Sequence, residues 1–132
     1  MNTHETYVSL ETAQLLKEAG FDWDCLGVWV EGKFSIWYEP KSNVWWKGQK
    51  EVYSASTLAV AQKWLREVKN IQIIASSLAG SKKWTPLITK DFLLLHEDIS
   101  GVALTHENFD TYEEALEAGI NKCLTLLFLR LL

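Results

Sequence analysis

Hydrophobic spacing switches between a helical period and a strand period along this chain, and the switches mark its elements. Leu10, Ala13 and Leu16 recur at helical spacing with Glu11, Gln14, Lys17 and Glu18 on the polar side, which predicts a first helix. Ser9 stands where an N-cap hydroxyl accepts from the free N–H groups of the first turn. Gly20 supplies the left-handed residue that ends the helix ahead of Phe21. Leu26-Gly27-Val28-Trp29-Val30 and Phe34-Ser35-Ile36-Trp37-Tyr38 then flank Glu31-Gly32 and predict a hairpin over 26–38. With a two-residue loop Trp29 faces Phe34, and Ile36 and Tyr38 share their side; a three-residue loop moves Val28 and Val30 to the Phe34 side. In both registers Trp37 lies on the other face from Phe34 and Ile36. Val44-Trp45-Trp46 and Glu51-Val52-Tyr53 predict short strands around a Lys47-Gly48-Gln49-Lys50 turn.

The second helix carries the clearest stripe, Leu58, Ala61, Trp64, Leu65 and Val68, capped by Ser56 or Thr57 and ended by Asn70. Ile71-Gln72-Ile73-Ile74-Ala75 and Lys83-Trp84-Thr85-Pro86-Leu87-Ile88 predict a second hairpin across Ala79-Gly80-Ser81, with Pro86 pushing its strand toward an edge because it has no N–H. Val102-Ala103-Leu104 reads as a further strand. The last helix starts at Asp110 or Thr111, each with a glutamate three residues on. Its inner stripe reads Tyr112, Leu116, Ile120, Cys123 and Leu127, and Gly119 among them points to close approach by another element. The order of elements predicts an α+β fold: an antiparallel sheet built from two hairpins, with three helices packed mainly on one face, in a single domain over 1–132. That length suffices for a core without metal or disulfide staples.

Composition changes this picture in one respect. Seven Trp, four Tyr and five Phe exceed what one small core needs, so part of the aromatic load is expected on a surface. The net charge of −4 gives no general attraction for a phosphate backbone, which argues against duplex DNA as partner. Cys25 and Cys123 stand far apart without CxxC spacing, and Met1 to Thr6 is polar, so a reduced cytoplasmic protein is expected. The apolar run Leu124–Leu132 is too short for a bilayer, which takes about 20 residues. Its leucines and Phe128 nearly cover a helix circumference, so it is either helix core or a strip completed in a homodimer through the C-terminal helix.

No catalytic pattern emerges. His4, His96, His106, Cys25 and Cys123 are scattered, with no HExxH or paired CxxC, so neither a metal site nor a cofactor is expected. The carboxylate pairs Asp22 with Asp24 and Glu97 with Asp98 read as solvated turn residues, and the isolated glycines do not form a phosphate loop. What remains is the pairing of cation with aromatic ring. Trp45-Trp46-Lys47-Gly48-Gln49-Lys50 and Ser81-Lys82-Lys83-Trp84 set Trp beside Lys on turns, the composition of a protein-binding hot spot or of a base-stacking site with phosphate-binding ammonium groups. The alternative for both is inward packing of the rings with lysines guarding the turns. The candidate binding residues are therefore Trp37, Trp45, Trp46, Lys47, Lys50, Lys82, Lys83 and Trp84.

Three stretches carry a family resemblance: Tyr7-Val8-Ser9 with Leu15-Leu16-Lys17 and Gly20-Phe21, then Ala61-Gln62-Lys63-Trp64-Leu65-Arg66-Glu67, then Tyr112-Glu113-Glu114-Ala115-Leu116-Glu117-Ala118-Gly119-Ile120. They resemble small uncharacterised proteins encoded in phages and mobile elements of gut Bacteroidales, over about a third of the chain. The resemblance implies a setting and gives no residue a role. Small accessory proteins in that setting often bind host components, so the expectation is a non-enzymatic protein that binds a host protein through an aromatic-rich surface. The alternative is a binder of small nucleotides or nucleotide-derived signals, with Trp45, Trp46 and Trp84 stacking and the neighbouring lysines at the phosphates.

Overall fold

Local signals set the helix boundaries. In the computed structural model, which describes residues 6–77, 80, 82–90, 93–94 and 108–132, helix α1 spans Leu10–Glu18 and Ser9 accepts from the Thr12 N–H at 3.2 Å. Gly20, at φ +95°, lets Phe21 N–H reach Leu16 O at 2.9 Å and Gly20 N–H reach Lys17 O at 3.1 Å, the two bonds of a Schellman cap. Helix α2 spans Leu58–Val68, with Thr57 as its cap and Asn70 in the left-handed region beyond its end. Helix α3 spans Tyr112–Phe128 and is capped by Thr111, whose hydroxyl accepts from Glu114 N–H at 3.1 Å.

The class is α+β: the described residues form three helices and two antiparallel sheets, each sheet built on one of the expected hairpins. The chain divides into two compact units where the sequence reads as one domain: Met1–Ala61 with Leu124–Leu132, and Gln62–Cys123.

In the first unit, β1 (Cys25–Val30), β2 (Lys33–Lys41) and β3 (Val52–Ala55) lie in the order β2-β1-β3. Trp29 pairs with Phe34 and Val30 with Lys33, so the loop has two residues. Glu31 and Gly32 both take positive φ, +50° and +81°, as a type I′ turn requires. Beyond Gly27↔Ile36 the ladder skips to Cys25↔Lys41, releasing four residues of β2 from β1. One face of the sheet carries Val28, Val52, Val30 and Trp37, and Trp46 closes over it. On the other face the Tyr7 ring lies 5.2 Å from Phe34, and the Trp29 indole N–H donates to Val8 O at 3.1 Å.

The expected strand at Val44-Trp45-Trp46 is instead a series of turns. Asn43 is the reason: its buried side chain donates to Phe21 O at 3.0 Å and accepts from Ser54 N–H at 2.9 Å. Those bonds hold residue 43 at the open edge of β3 and bend the following residues over the sheet.

In the second unit, β4 (Ile71–Ser77) and β5 (Trp84–Lys90) pair from Ile71↔Lys90 to Ser77↔Trp84, and the two-residue β6 (Leu93–Leu94) extends β5 at Thr89 and Lys90. β5 is thus central, not an edge. Trp84 exchanges two backbone bonds with Phe109 on the side away from β4, and alternation turns the Pro86 nitrogen to that same side. There Pro86 meets neither Phe109 nor β6, so its missing N–H leaves no ladder bond unmade among the described residues. Gly119 faces it: a Cβ built there would lie 2.9 Å from Pro86 Cβ and 2.8 Å from Ile73 Cγ2. The close approach expected of that glycine is present.

Two helical stripes shift from expectation. Leu58, Ala61, Trp64 and Leu65 are buried, but Val68, in the last turn of α2, is exposed. In α3 the buried set is Ala115, Leu116, Ile120, Cys123, Leu124 and Leu126, whereas Tyr112 is exposed and Leu127 half-buried. The stripe precesses along the helix, because 3.6 residues per turn do not repeat at a fixed spacing of four. Val102-Ala103-Leu104 lies outside the described residues.

Candidate functional site

The seven tryptophans sort by what surrounds them. Trp64 is core, as its stripe requires. Trp23, Trp29, Trp37 and Trp84 are half-buried, Trp46 is 6% exposed and Trp45 is 61% exposed. Adjacent rings of one turn therefore have opposite fates.

Trp46 is not a surface residue. Its ring packs on Trp37 with centroids 5.4 Å apart and planes tilted by 55°, above Val28 and Val52. Its indole N–H donates to Ser54 Oγ at 3.0 Å, and the Ser54 hydroxyl donates on to Lys41 O at 3.3 Å. A buried indole donor without a partner would cost about 1–3 kcal/mol, so this relay is what lets the ring sit inside. Trp46 is therefore withdrawn from the binding set, and Trp37 beneath it offers only part of its surface.

Trp45 points the other way. Lys41 Nζ lies 3.6 Å from its ring centroid and is also paired with Glu39 at 3.1 Å, so one face of the indole meets a cation. Val44 beside it is exposed, as are Lys47 and Lys50. Lys17 reaches this turn from α1, donating to Gln49 O at 3.4 Å and Val52 O at 3.0 Å. The turn is anchored from several directions and presents Val44, Trp45, Lys47 and Lys50 outward.

In the second unit, Trp84 is held by its two backbone bonds to Phe109 and packs edge-on against Tyr112, with centroids 5.5 Å apart. Lys83 pairs with Asp110, and Lys82 is exposed. The Lys83–Asp110 pair is solvent-exposed, and Trp84 packs against the first residue of α3.

No family model, curated protein or solved structure matches the chain.

Sequence reading missed Lys41, Asn43 and Ser54, the residues that decide which ring is inside. It also placed Phe34, Ile36 and Tyr38 on one side of β2 without finding that this side is open: they are 37%, 52% and 85% exposed. The alternation of the strand carries the signal; it does not reveal that β2 is terminal in its sheet among the described residues.

Four of the remaining candidates, Asp22, Asp24, Cys25 and Cys123, lie among the described residues. Asp22 and Asp24 are exposed. Burial pushes the Cys25 thiol up to about 11, with Asp24 adding to the shift and a hydrogen bond with Ser54 opposing it. Burial pushes Cys123 up to about 12, against the opposing charge of Lys90. Both are free thiols, protonated and weakly nucleophilic at neutral pH. Among the described residues no three His, Cys, Asp or Glu side chains are grouped to hold a metal ion. His4, His96, His106, Glu97 and Asp98 lie outside them. No helix among the described residues is long and apolar enough to cross a membrane.

Proposed function

We propose that this is a small non-enzymatic binding protein that acts on a host protein, with Trp45 as the anchor of the contact. The observation that carries this reading is that Trp45 alone of seven tryptophans is exposed, on a turn tied down by Asn43 and Lys17. A large rigid ring with an apolar neighbour and a polar rim is the usual centre of a protein–protein hot spot, and Val44, Lys47 and Lys50 supply that neighbour and rim. The phage or mobile-element setting suggested by the resemblance makes the cytoplasm of the bacterial host the place to seek the partner.

Nucleotide stacking is the weaker alternative. It draws on Trp45, Trp46 and Trp84, of which Trp46 is enclosed, Trp84 is braced against Tyr112, and Trp45 has one face under Lys41. The test compares the tagged protein with a Val44→Ser/Trp45→Ser variant in capture from a Bacteroidales lysate. A host protein retained by the first and lost by the second, at equal melting temperature, supports the reading. Equal retention by both overturns it. Quenching of tryptophan emission by millimolar mono- or cyclic nucleotides, absent in Trp45→Phe, would favour the nucleotide alternative.

A further inference from the structure

We infer that β2 pairs antiparallel with β2 of a second copy of this chain, with Ile36 opposite Ile36 across a twofold axis. The inference does not rest on the Trp45 reading. Among the described residues β2 is the outer strand of its sheet, and its side chains Phe34, Ile36 and Tyr38 are exposed on one face. Val30↔Lys33 closes a two-residue turn and is therefore a hydrogen-bonded pair, so Lys33 and Ser35 aim their backbone groups at β1 while Phe34 and Ile36 aim theirs outward. The residues between Ile36 and Lys41 have no ladder partner on β1. Alternation nevertheless continues there, with Trp37 packed on the Trp46 side and Tyr38 exposed.

The sequence of this strand is complementary to itself. In Lys33-Phe34-Ser35-Ile36-Trp37-Tyr38-Glu39, a twofold axis at Ile36 sets Lys33 opposite Glu39 of the second copy, Phe34 opposite Tyr38, and Ser35 opposite Trp37. Both ends then carry an opposite-charge pair, and the exposed faces join in one apolar row from Phe34, Ile36 and Tyr38 of each copy. A slip of one residue would place outward backbone groups against inward ones. A slip of two would set Lys33 against Lys41 or against Trp37, losing the charge pairs. Glu39 already touches Lys41 through one carboxylate oxygen and has a second for Lys33 of the other copy.

Edge strands that avoid pairing carry charge, proline or a β-bulge within the exposed run; the break after Ile36 lies in the pairing with β1, and Trp37 and Tyr38 keep alternating across it. Here Lys33 and Pro40 bracket the run without interrupting it, and Pro40, lacking an N–H, terminates the pairing just past Glu39. The pairing is isologous and closes as a dimer.

Sedimentation velocity from low micromolar to several hundred micromolar tests this, with Lys33→Glu, Glu39→Lys and their double variant. The wild type is expected to dimerise reversibly. Each single variant sets like charges opposite at both ends and should weaken the dimer by about tenfold or more, and the double variant should regain most of the loss. Hydrogen exchange supplies a second readout that needs no variant: the Phe34 and Ile36 amides should gain protection as concentration rises. A wild type that stays monomeric throughout would overturn the inference. So would a dimer indifferent to both charge variants, or one dissolved by Phe128→Lys, which would place the contact on the exposed C-terminal turn.

Discussion

Trp46 and Ser54 are joined by an indole N–H donated to a hydroxyl at 3.0 Å, inside a small core on the Val28 and Val52 face of the β2-β1-β3 sheet. Asn43 holds the backbone of the same serine at 2.9 Å, so ring and turn are fixed to one point of β3. The neighbouring Trp45 shares none of these bonds.

The two rings should therefore respond oppositely to truncation. Trp46→Ala is expected to cost about 3–5 kcal/mol of stability, and Trp45→Ala less than about 1 kcal/mol, in urea denaturation. Comparable losses at the two positions would refute the division.

Gly119→Ala pits two effects of known sign against each other. Helix propensity favours alanine by about 1 kcal/mol. The added methyl would lie within 3 Å of both Ile73 Cγ2 and Pro86 Cβ, at 2.8 and 2.9 Å, and such overpacking costs about 1–3 kcal/mol. The expected outcome is a net loss in thermal melting, in contrast to the gain alanine gives at an open helical glycine.

Glu31 sits at φ +50° in a type I′ turn, where asparagine is the better residue. Glu31→Asn should raise stability by about 0.5–1 kcal/mol without moving the Trp29↔Phe34 register, which amide exchange of the hairpin would verify.

The thiols predict an alkaline limit. Both folded-state values are raised, to about 11 for Cys25 and about 12 for Cys123, so the unfolded chain ionises first as pH climbs past the ordinary thiol value of 9.0. The stability linked to holding those protons is complete below that value and is lost as pH rises toward the folded-state values. Cys123→Ala should flatten the decline in melting temperature between pH 9 and pH 11, and a slope identical to wild type would count against the burial of that thiol.

Sequence reading succeeded where neighbours along the chain decide the outcome. Ser9, Gly20, Thr57, Asn70 and Thr111 act on backbone groups within a turn of themselves, and Glu31-Gly32 fixes its register through two dihedral angles. Gly119 was legible because glycine inside a helix asks for a reason. The fates of Trp45 and Trp46 were not legible, since they depend on Ser54, eight residues further on, and on Asn43 reaching Phe21, 22 residues back. Nor does alternation along a strand reveal which sheet receives it, so the two hairpins read as one sheet.

Asn43 has a consequence for affinity. A side chain that must be immobilised on binding loses rotamer and backbone freedom, and that loss subtracts from the contact energy. Asn43 bonds both to the end of α1 and to β3, and it sits two residues before Trp45. Folding has thus already met the ordering cost of the backbone beneath the indole, and a partner need immobilise little more than the ring.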